Sequence, residues 1–443
     1  MAHQQQRHRP HVDFRHRSQI PMPAVEDVEQ RLMDLLSPSL LAPRQLERRD
    51  PRQPQRLIRM RQRLLTLPVM VAIIVSLVWR RVPSVAEVQK VLAREGLWGG
   101  APLQVSPQAI TKRLDVLPAA VMGQLFTEVC ARLQAQPPSL PHPSWAAVWE
   151  HFPRLAIVDG STLEALRKKT QGLRQREGLV LAGRLMVMVE AFSHRPLWQL
   201  YTDDALANDK RFAAEILVAL PVGGLLVFDL GFFSFLWFDD FTASRRFFVT
   251  RMREKTAYRT VRVLSSGLYY RDEIIAVGQY RSNPCQYPLR MVSVLWQGTW
   301  YRYLTNVLEP QVLSTRQVCE LYRHRWRIEE AFALTKRLLD LAYVWTGSTN
   351  AIQLQISATL IFYAVLVTIC QQVARVLGEP VERISVEMVF RAVYHYSRAV
   401  QRGESNDLVA FLAEHAKLLG IVKRWRKQHC ERQQLESIIW GDP

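Results

Sequence analysis

The sequence predicts an α/β fold, a mixed-sheet catalytic core interrupted by an all-β insertion, with helical regions before and after it. Three observations predict it. Short apolar runs, two of them ending in an aspartate, alternate with amphipathic helical stretches across the middle of the chain. Period-two runs rich in Val, Tyr and Trp come next, and stretches of helical period precede and follow both. At 443 residues the chain is too long for one simple core, so two or three structural units are expected.

Residues 1–56 are rich in Gln, Arg, His and Pro and close on the basic run PRQLERRDPRQPQR. Such a composition predicts a disordered arm suited to lying along a DNA backbone. His3, His8, His11 and His16 read there as a solvated cluster rather than a metal site. Residues 57–135 are helical in pattern and are a candidate N-terminal DNA-binding domain, on a weak signal. Within them, a short helix, a turn at Leu117-Pro118 and a longer helix are compatible with a helix-turn-helix, although a plain helical hairpin is the simpler reading. Residues 136–150, with Pro137, Pro138, Pro141 and Pro143, form the expected linker.

Residues 151–252 make the first part of the core. LAIVDG, GRLMVMVEAF and PLWQLYT read as three strands, NDKRFAAEILVAL as a helix capped by Asn208, and GGLLVFD as a fourth strand. A helix (SFLWFDDFTASR) and a fifth strand (RFFVTRMR) complete it. Asp159 and Asp229 each close an apolar strand. Burial does not explain an acid in that place, so both are expected to line a site.

Residues 253–312 carry four strand-like runs, TAYRTVRVL, EIIAVGQYR, LRMVSVLW and TWYRYLTNV, read as an inserted β-subdomain. Its Arg259, Arg262, Tyr269, Tyr270, Arg271, Arg281, Arg290, Trp296, Trp300, Tyr301 and Arg302 suit a nucleic-acid face, though strands favour Tyr and Trp in any case. Residues 313–345 return to the core as one long helix from a cap at Ser314 or Thr315 to about Leu341. On a helical wheel started at Tyr322, Arg325 falls at about 300°, Glu329 at about 340° and Lys336 at about 320°. Ile328, Ala331, Leu334, Leu338 and Leu339 fill the opposite, buried arc. An acid, an arginine, a phenol and a lysine on one stripe suit a metal ion and its phosphates, but periodicity alone favours a solvated face with an ordinary ion pair.

Residues 346–443 are helical and end in a basic tail, KRWRKQHCERQ. The apolar runs Leu64–Trp79 and Ile356–Cys370 fall short of the roughly 20 residues of a spanning helix and read as buried core helices, so no membrane is expected. Lys and Arg outnumber Asp and Glu by 58 to 40, a net charge of +18, which predicts a polyanionic partner. The five cysteines are scattered without ligand-like spacing, and the N-terminus is polar and basic. Both features point to a reducing cytosol, without disulfides or zinc fingers.

Three motifs in order carry a resemblance: VDGS around Asp159, FDLGFF around Asp229, and Tyr322-x2-Arg325-x3-Glu329-x6-Lys336. Together they resemble the IS-four group of bacterial insertion-sequence transposases, which carry a DDE triad and a signature called YREK. The resemblance covers about residues 155–340. It implies an RNase H-like core with a β-strand insertion ahead of the glutamate helix. It implies Asp159, Asp229 and Glu329 as catalytic ligands of two Mg²⁺ ions, with Mn²⁺ able to substitute, and Tyr322, Arg325 and Lys336 as DNA phosphate-binding residues. It further implies binding to the element's terminal inverted repeats, cleavage there, transfer of the 3′ ends to target DNA, and a homodimer in a synaptic complex. By the same resemblance, Trp296 or Trp300 would stack on a flipped base, and the protein would work at the nucleoid in the bacterial cytoplasm.

Other acids are set aside. Glu330 points about 100° from Glu329 and reads as structural or solvent-facing. Asp203, Asp204 and Asp209 read as residues of helix starts, Asp239 and Asp240 as solvent-facing, and Glu190 as pairing with Arg184 or pointing outward. His151, His194 and His324 have no spacing that pairs them with a nucleophile. The alternative function is a catalytically inactive derivative that binds DNA as a repressor or architectural protein.

Overall fold

The computed structural model describes residues 22–36, 41, 46–49, 53, 55–60, 63–135, 145–163, 183–204, 206–337 and 348–424. The four N-terminal histidines, the proline run of the linker, Leu338, Leu339, Leu341, Cys430 and the basic tail from 425 onward lie outside the described residues.

The first helical group comprises α1 (Glu26–Leu35), α2 (Leu67–Trp79), α3 (Val85–Arg94), α4 (Pro107–Val116), α5 (Ala119–Gln134) and α6 (Ala146–His151). A short antiparallel ribbon of β1 (Glu47–Arg49) and β2 (Leu57–Arg59) lies between α1 and α2. Helix α1 corrects the expectation of an arm disordered through residue 56. Its Val28 and Leu32 are fully buried, Asp27 accepts hydrogen bonds from Tyr396 and from the Leu408 N–H, and Arg31 donates to Gln372 at 2.6 Å. Apolar burial and polar contacts to distant helices hold this short helix, which composition alone assigned to disorder.

The sheet follows. Its strands are β3 (Leu155–Thr162), β4 (Arg184–Glu190), β5 (Pro196–Thr202), β6 (Leu225–Val227), β7 (Phe247–Arg251), β8 (Tyr258–Ser266), β9 (Tyr270–Val277), β10 (Leu289–Trp296) and β11 (Thr299–Thr305). Between β5 and β6 runs α7 (Ala213–Ala219), and between β6 and β7 runs α8 (Phe235–Ala243). All nine strands join in the order β5-β4-β3-β6-β7-β11-β10-β9-β8. Strands β3, β6 and β7 are mutually parallel; the other pairings are antiparallel.

The β-rich stretch, expected as an inserted β-subdomain, falls between β7 and the segment that carries Glu329. Tyr303, Leu304 and Thr305 of β11 pair with Arg251, Thr250 and Val249 of β7, so its four strands extend the same sheet. Alternation along the strands divides the interior into two cores. Leu155, Ile157, Val187 and Val292 face the helices of the two chain ends, while Ala156, Val158, Met186 and Met291 face α7 and α8. Asp239 on α8, expected in solvent, is buried and accepts from the Gln286 and Tyr287 N–H groups at 3.0 and 3.2 Å. Glu190 is likewise inside, paired with Arg154 at 3.2 Å rather than with Arg184.

The last group is α9 (Thr315–His324), α10 (Trp326–Arg337), α11 (Thr349–Leu377), α12 (Val386–Gln401) and α13 (Leu408–Glu414). Helix α11 is long and apolar enough to cross a membrane, but 89% of its apolar window is buried against other parts of the chain. It is apolar on every side because α2, α5, α12 and α13 surround it. Its Asn350 side chain donates to the Leu114 and Leu117 carbonyls at 2.9 and 2.7 Å and accepts from the Ala119 N–H at 3.1 Å. The α4–α5 turn is thereby clamped. Helix α5 buries Met122, Phe126, Val129 and Leu133 and contacts both α11 and β5, so the expected N-terminal domain is part of a bundle shared with the C-terminal helices.

Candidate active site

The site begins where the sheet opens. Strands β3 and β6 pair only as far as Ile157 with Val227, whereas β3 continues alongside β4 to Thr162. Asp159 therefore lies inside β3, two residues beyond its parallel ladder rather than at the end of the strand. It follows Leu155 and Ile157 on the face toward the helical bundle. Its Oδ1 accepts from the Gly160 N–H at 2.7 Å. Asp229 stands two residues past β6 and starts a 3₁₀ turn by accepting from the Gly231 N–H at 3.1 Å.

The third acid comes from α10, which lies against β3. The sequence predicts an unbroken helix here, and the structure corrects this. Helix α9 ends at His324 and α10 starts at Trp326, with Arg325 between them. At the break the Arg325 N–H bonds to the Tyr322 carbonyl at 3.2 Å, and the Ile328 N–H bonds to the Arg325 carbonyl at 3.2 Å, tighter steps than α-helix spacing. No Pro or Gly marks the place. Burial on α10 follows the wheel, with Ile328, Ala331 and Leu334 inside.

All three carboxylates surround one nitrogen. Arg325 Nη1 lies 3.2 Å from Glu329 Oε1, 3.6 Å from Asp159 Oδ2 and 3.8 Å from Asp229 Oδ2. The Arg325 side chain is 5% exposed, against 18% for Asp159, 41% for Asp229 and 46% for Glu329. Three carboxylates around one guanidinium leave a local charge of about −2 when all are ionised, which attracts further cations. Burial pushes the Asp159 carboxyl up to about 6; the Gly160 N–H and Arg325 oppose the rise, and Asp229 and Asp209 add to it. Among the described residues, no group of three or more acid, histidine or cysteine side chains stands close enough to hold a metal ion.

The remaining predicted residues fall into two sets. Lys336 donates to the Ser161 hydroxyl and to the Thr162 carbonyl at 3.0 Å, so it sits on the far end of β3. Tyr322 lies over Tyr303 with ring centroids 5.1 Å apart and beside Arg325, and burial pushes its phenol up. Glu330 turns away from the three acids and pairs with Lys423 at 3.1 Å. On the β10–β11 hairpin, the register puts Trp296 opposite Thr299, on the sheet face of Tyr303, and puts Trp300 opposite Leu295, on the face of Leu304. The two tryptophans therefore occupy opposite faces. Arg290, expected on a DNA face, is fully buried against Asp272.

Residues 150–364 match the transposase DDE domain. That span contains Asp159, Asp229, Tyr322, Arg325, Glu329 and Lys336, together with the whole sheet. The chain is also similar to a protein of Sinorhizobium fredii named "Putative transposase y4zB", with 26% identity over 220 residues. That alignment takes in 48% of this chain and 60% of the relative's length. The nine-stranded mixed sheet with helices on both faces is consistent with a DDE domain fold. Sequence reasoning set Asp209 aside as a helix-start residue and named Arg184 only as a partner for Glu190, yet both adjoin the segments that carry Asp159 and Asp229. The glycines after Asp159 and Asp229 were a signal for them.

Proposed function

We propose that the protein is a metal-dependent DNA transposase of the IS-four group, with a YREK signature and an RNase H-like core. The strand order β5-β4-β3-β6-β7, three antiparallel strands followed by two parallel ones, supports that core. One observation carries the functional reading: Asp159, Asp229 and Glu329, far apart in sequence, lie within 3.8 Å of a single cationic nitrogen.

The donors fit Mg²⁺ in kind, because all are hard carboxylate oxygens. Asp159, Asp229 and Glu329 would hold the ions. Bound divalent metal would supply an activated water or hydroxyl and stabilise the charge that develops on the leaving oxygen at a DNA phosphate. Arg325 keeps the acids gathered when no metal is present. Displaced from them, its guanidinium reaches the substrate phosphate, beside the Tyr322 hydroxyl and the Lys336 ammonium. The net charge of +18 draws DNA in, with steep salt dependence. Substrates are the terminal inverted repeats and then target DNA, with the 3′ ends transferred by a homodimer. Trp296 is the residue proposed to stack on an unpaired base, since Trp300 faces away from Tyr322.

The second reading, an inactive DNA-binding derivative, draws on the same guanidinium, which would then remain among the acids. Nicking of an end-containing duplex in Mg²⁺ separates the two. Asp159→Ala, Asp229→Ala and Glu329→Ala are expected to abolish nicking and keep DNA binding, while Glu330→Ala nicks normally. Equal nicking by all four proteins would overturn the assignment, and an inert parent protein would favour the second reading.

A further inference from the structure

The glycines that follow Asp159 and Asp229 share a neighbour. Asp209 opens the 3₁₀ turn before α7. Its Oδ1 lies 2.6 Å from the point where a Cβ on Gly160 would stand, and its Oδ2 lies 2.9 Å from the corresponding point on Gly231. Arg184 on β4 donates Nη2 to that Oδ1, and its Nε lies 3.1 Å from the same Gly160 point. Capping does not account for Asp209, because Asn208 takes the Lys210 N–H at 3.1 Å. Neither glycine has a positive φ, so space rather than backbone conformation excludes a side chain. The Gly160 and Gly231 N–H groups are those that hold Asp159 and Asp229. One carboxylate is thus wedged between the two peptide segments that aim the two acids.

We propose that Asp209, held by Arg184, is a positioning residue that sets the spacing of Asp159 and Asp229 for divalent-cation binding. The inference rests on the reading of those two aspartates as metal ligands. Asp209 is not one of the three carboxylates gathered at Arg325. It acts through the two backbones, as residues behind metal ligands commonly do, where substitution costs tenfold or more in affinity. The geometry offers a clean coupling. Among the described residues beyond its chain neighbours, a methyl on Gly231 would meet only Asp209 atoms within 4 Å, so Gly231→Ala probes the site through Asp209.

Mn²⁺ binding to the full-length protein without DNA, followed by electron paramagnetic resonance, tests this on Asp209→Ala, Asp209→Asn, Gly231→Ala and the Gly231→Ala/Asp209→Ala double variant. Asp209→Ala is expected to weaken Mn²⁺ by about tenfold. Asp209→Asn, which keeps the shape and the Arg184 contact, should lose less. Gly231→Ala should weaken binding alone yet add nothing once Asp209 is alanine. Wild-type affinity in Asp209→Ala, or losses that multiply in the double variant, would overturn the proposal. Asp159→Asn distinguishes the two levels: wild-type Mn²⁺ binding there would remove the metal reading itself, and the positioning role with it.

Discussion

Arg290 closes onto Asp272 in the interior, Nε to Oδ1 at 2.8 Å and Nη2 to Oδ2 at 2.6 Å, with neither side chain exposed. The third guanidinium arm donates to the Leu313 carbonyl at 2.6 Å, and Thr315 donates to Asp272 at 2.9 Å. The pair ties β9 and β10 to the start of α9, and so to the segment that carries Arg325 and Glu329. Removing one member leaves a charge without its partner inside the protein. Arg290→Met is therefore expected to cost about 3–5 kcal/mol, and Arg290→Met/Asp272→Leu to recover most of it. Urea unfolding of the single and double variants measures the difference.

Asp159 should make stability depend on pH. Its folded-state pKa, about 6, lies above the ordinary 3.8. Folding thus favours the protonated form, so its contribution is complete below about pH 4 and is lost as pH rises through 6. Ionised Asp159 then costs up to about 3 kcal/mol at pH 8. Asp159→Asn should melt higher than the parent at pH 8, by a margin that closes toward pH 4. Melting curves across that range, in chelator, read it directly.

Arg325 is the cation that the three carboxylates share. Arg325→Gln is expected to cost about 2 kcal/mol in chelator, less than a fully buried pair because Asp229 and Glu329 reach solvent. Mg²⁺ should restore more stability to this variant than it adds to the parent. Thermal melts with and without Mg²⁺ give both numbers; an identical Mg²⁺ response in the two proteins would contradict the placement of the guanidinium.

Asn350 satisfies two carbonyls and one N–H of the α4–α5 turn. Asn350→Ala should cost about 1–3 kcal/mol by leaving them unmet. Asn350→Asp keeps the acceptor, loses both donors and should fall as far or further. Hydrogen exchange at the Ala119 N–H reports the loosening locally.

Much of this architecture was legible in residue patterns. LAIVDG and GGLLVFD place Asp159 and Asp229 because a strand that alternates between two apolar faces leaves an acid at its edge unexplained. The Arg325–Glu329 spacing survives because neighbours four apart meet even next to a break. The break itself was hidden, since no Pro or Gly marks it and two of the three carboxylates around Arg325 come from distant elements. Asp209 does stand at a helix start, as its position suggests, but its nearness to Gly160 and Gly231 was hidden because those segments come from other elements. Asp239, Glu190 and Arg290 show the same limit, because their partners lie in other elements and composition alone puts a charge on the surface.

Helix α11 has an effect on the order of synthesis. It lies against α2 and α5, yet it starts more than two hundred residues after α5 ends. The ribosome releases the oily flank of α2 long before its cover exists, and that flank stays open until the last third of the protein emerges. Polypeptides cut short ahead of Thr349 would keep every carboxylate of the site and still be sticky, incomplete globules, natural clients of chaperones and proteases.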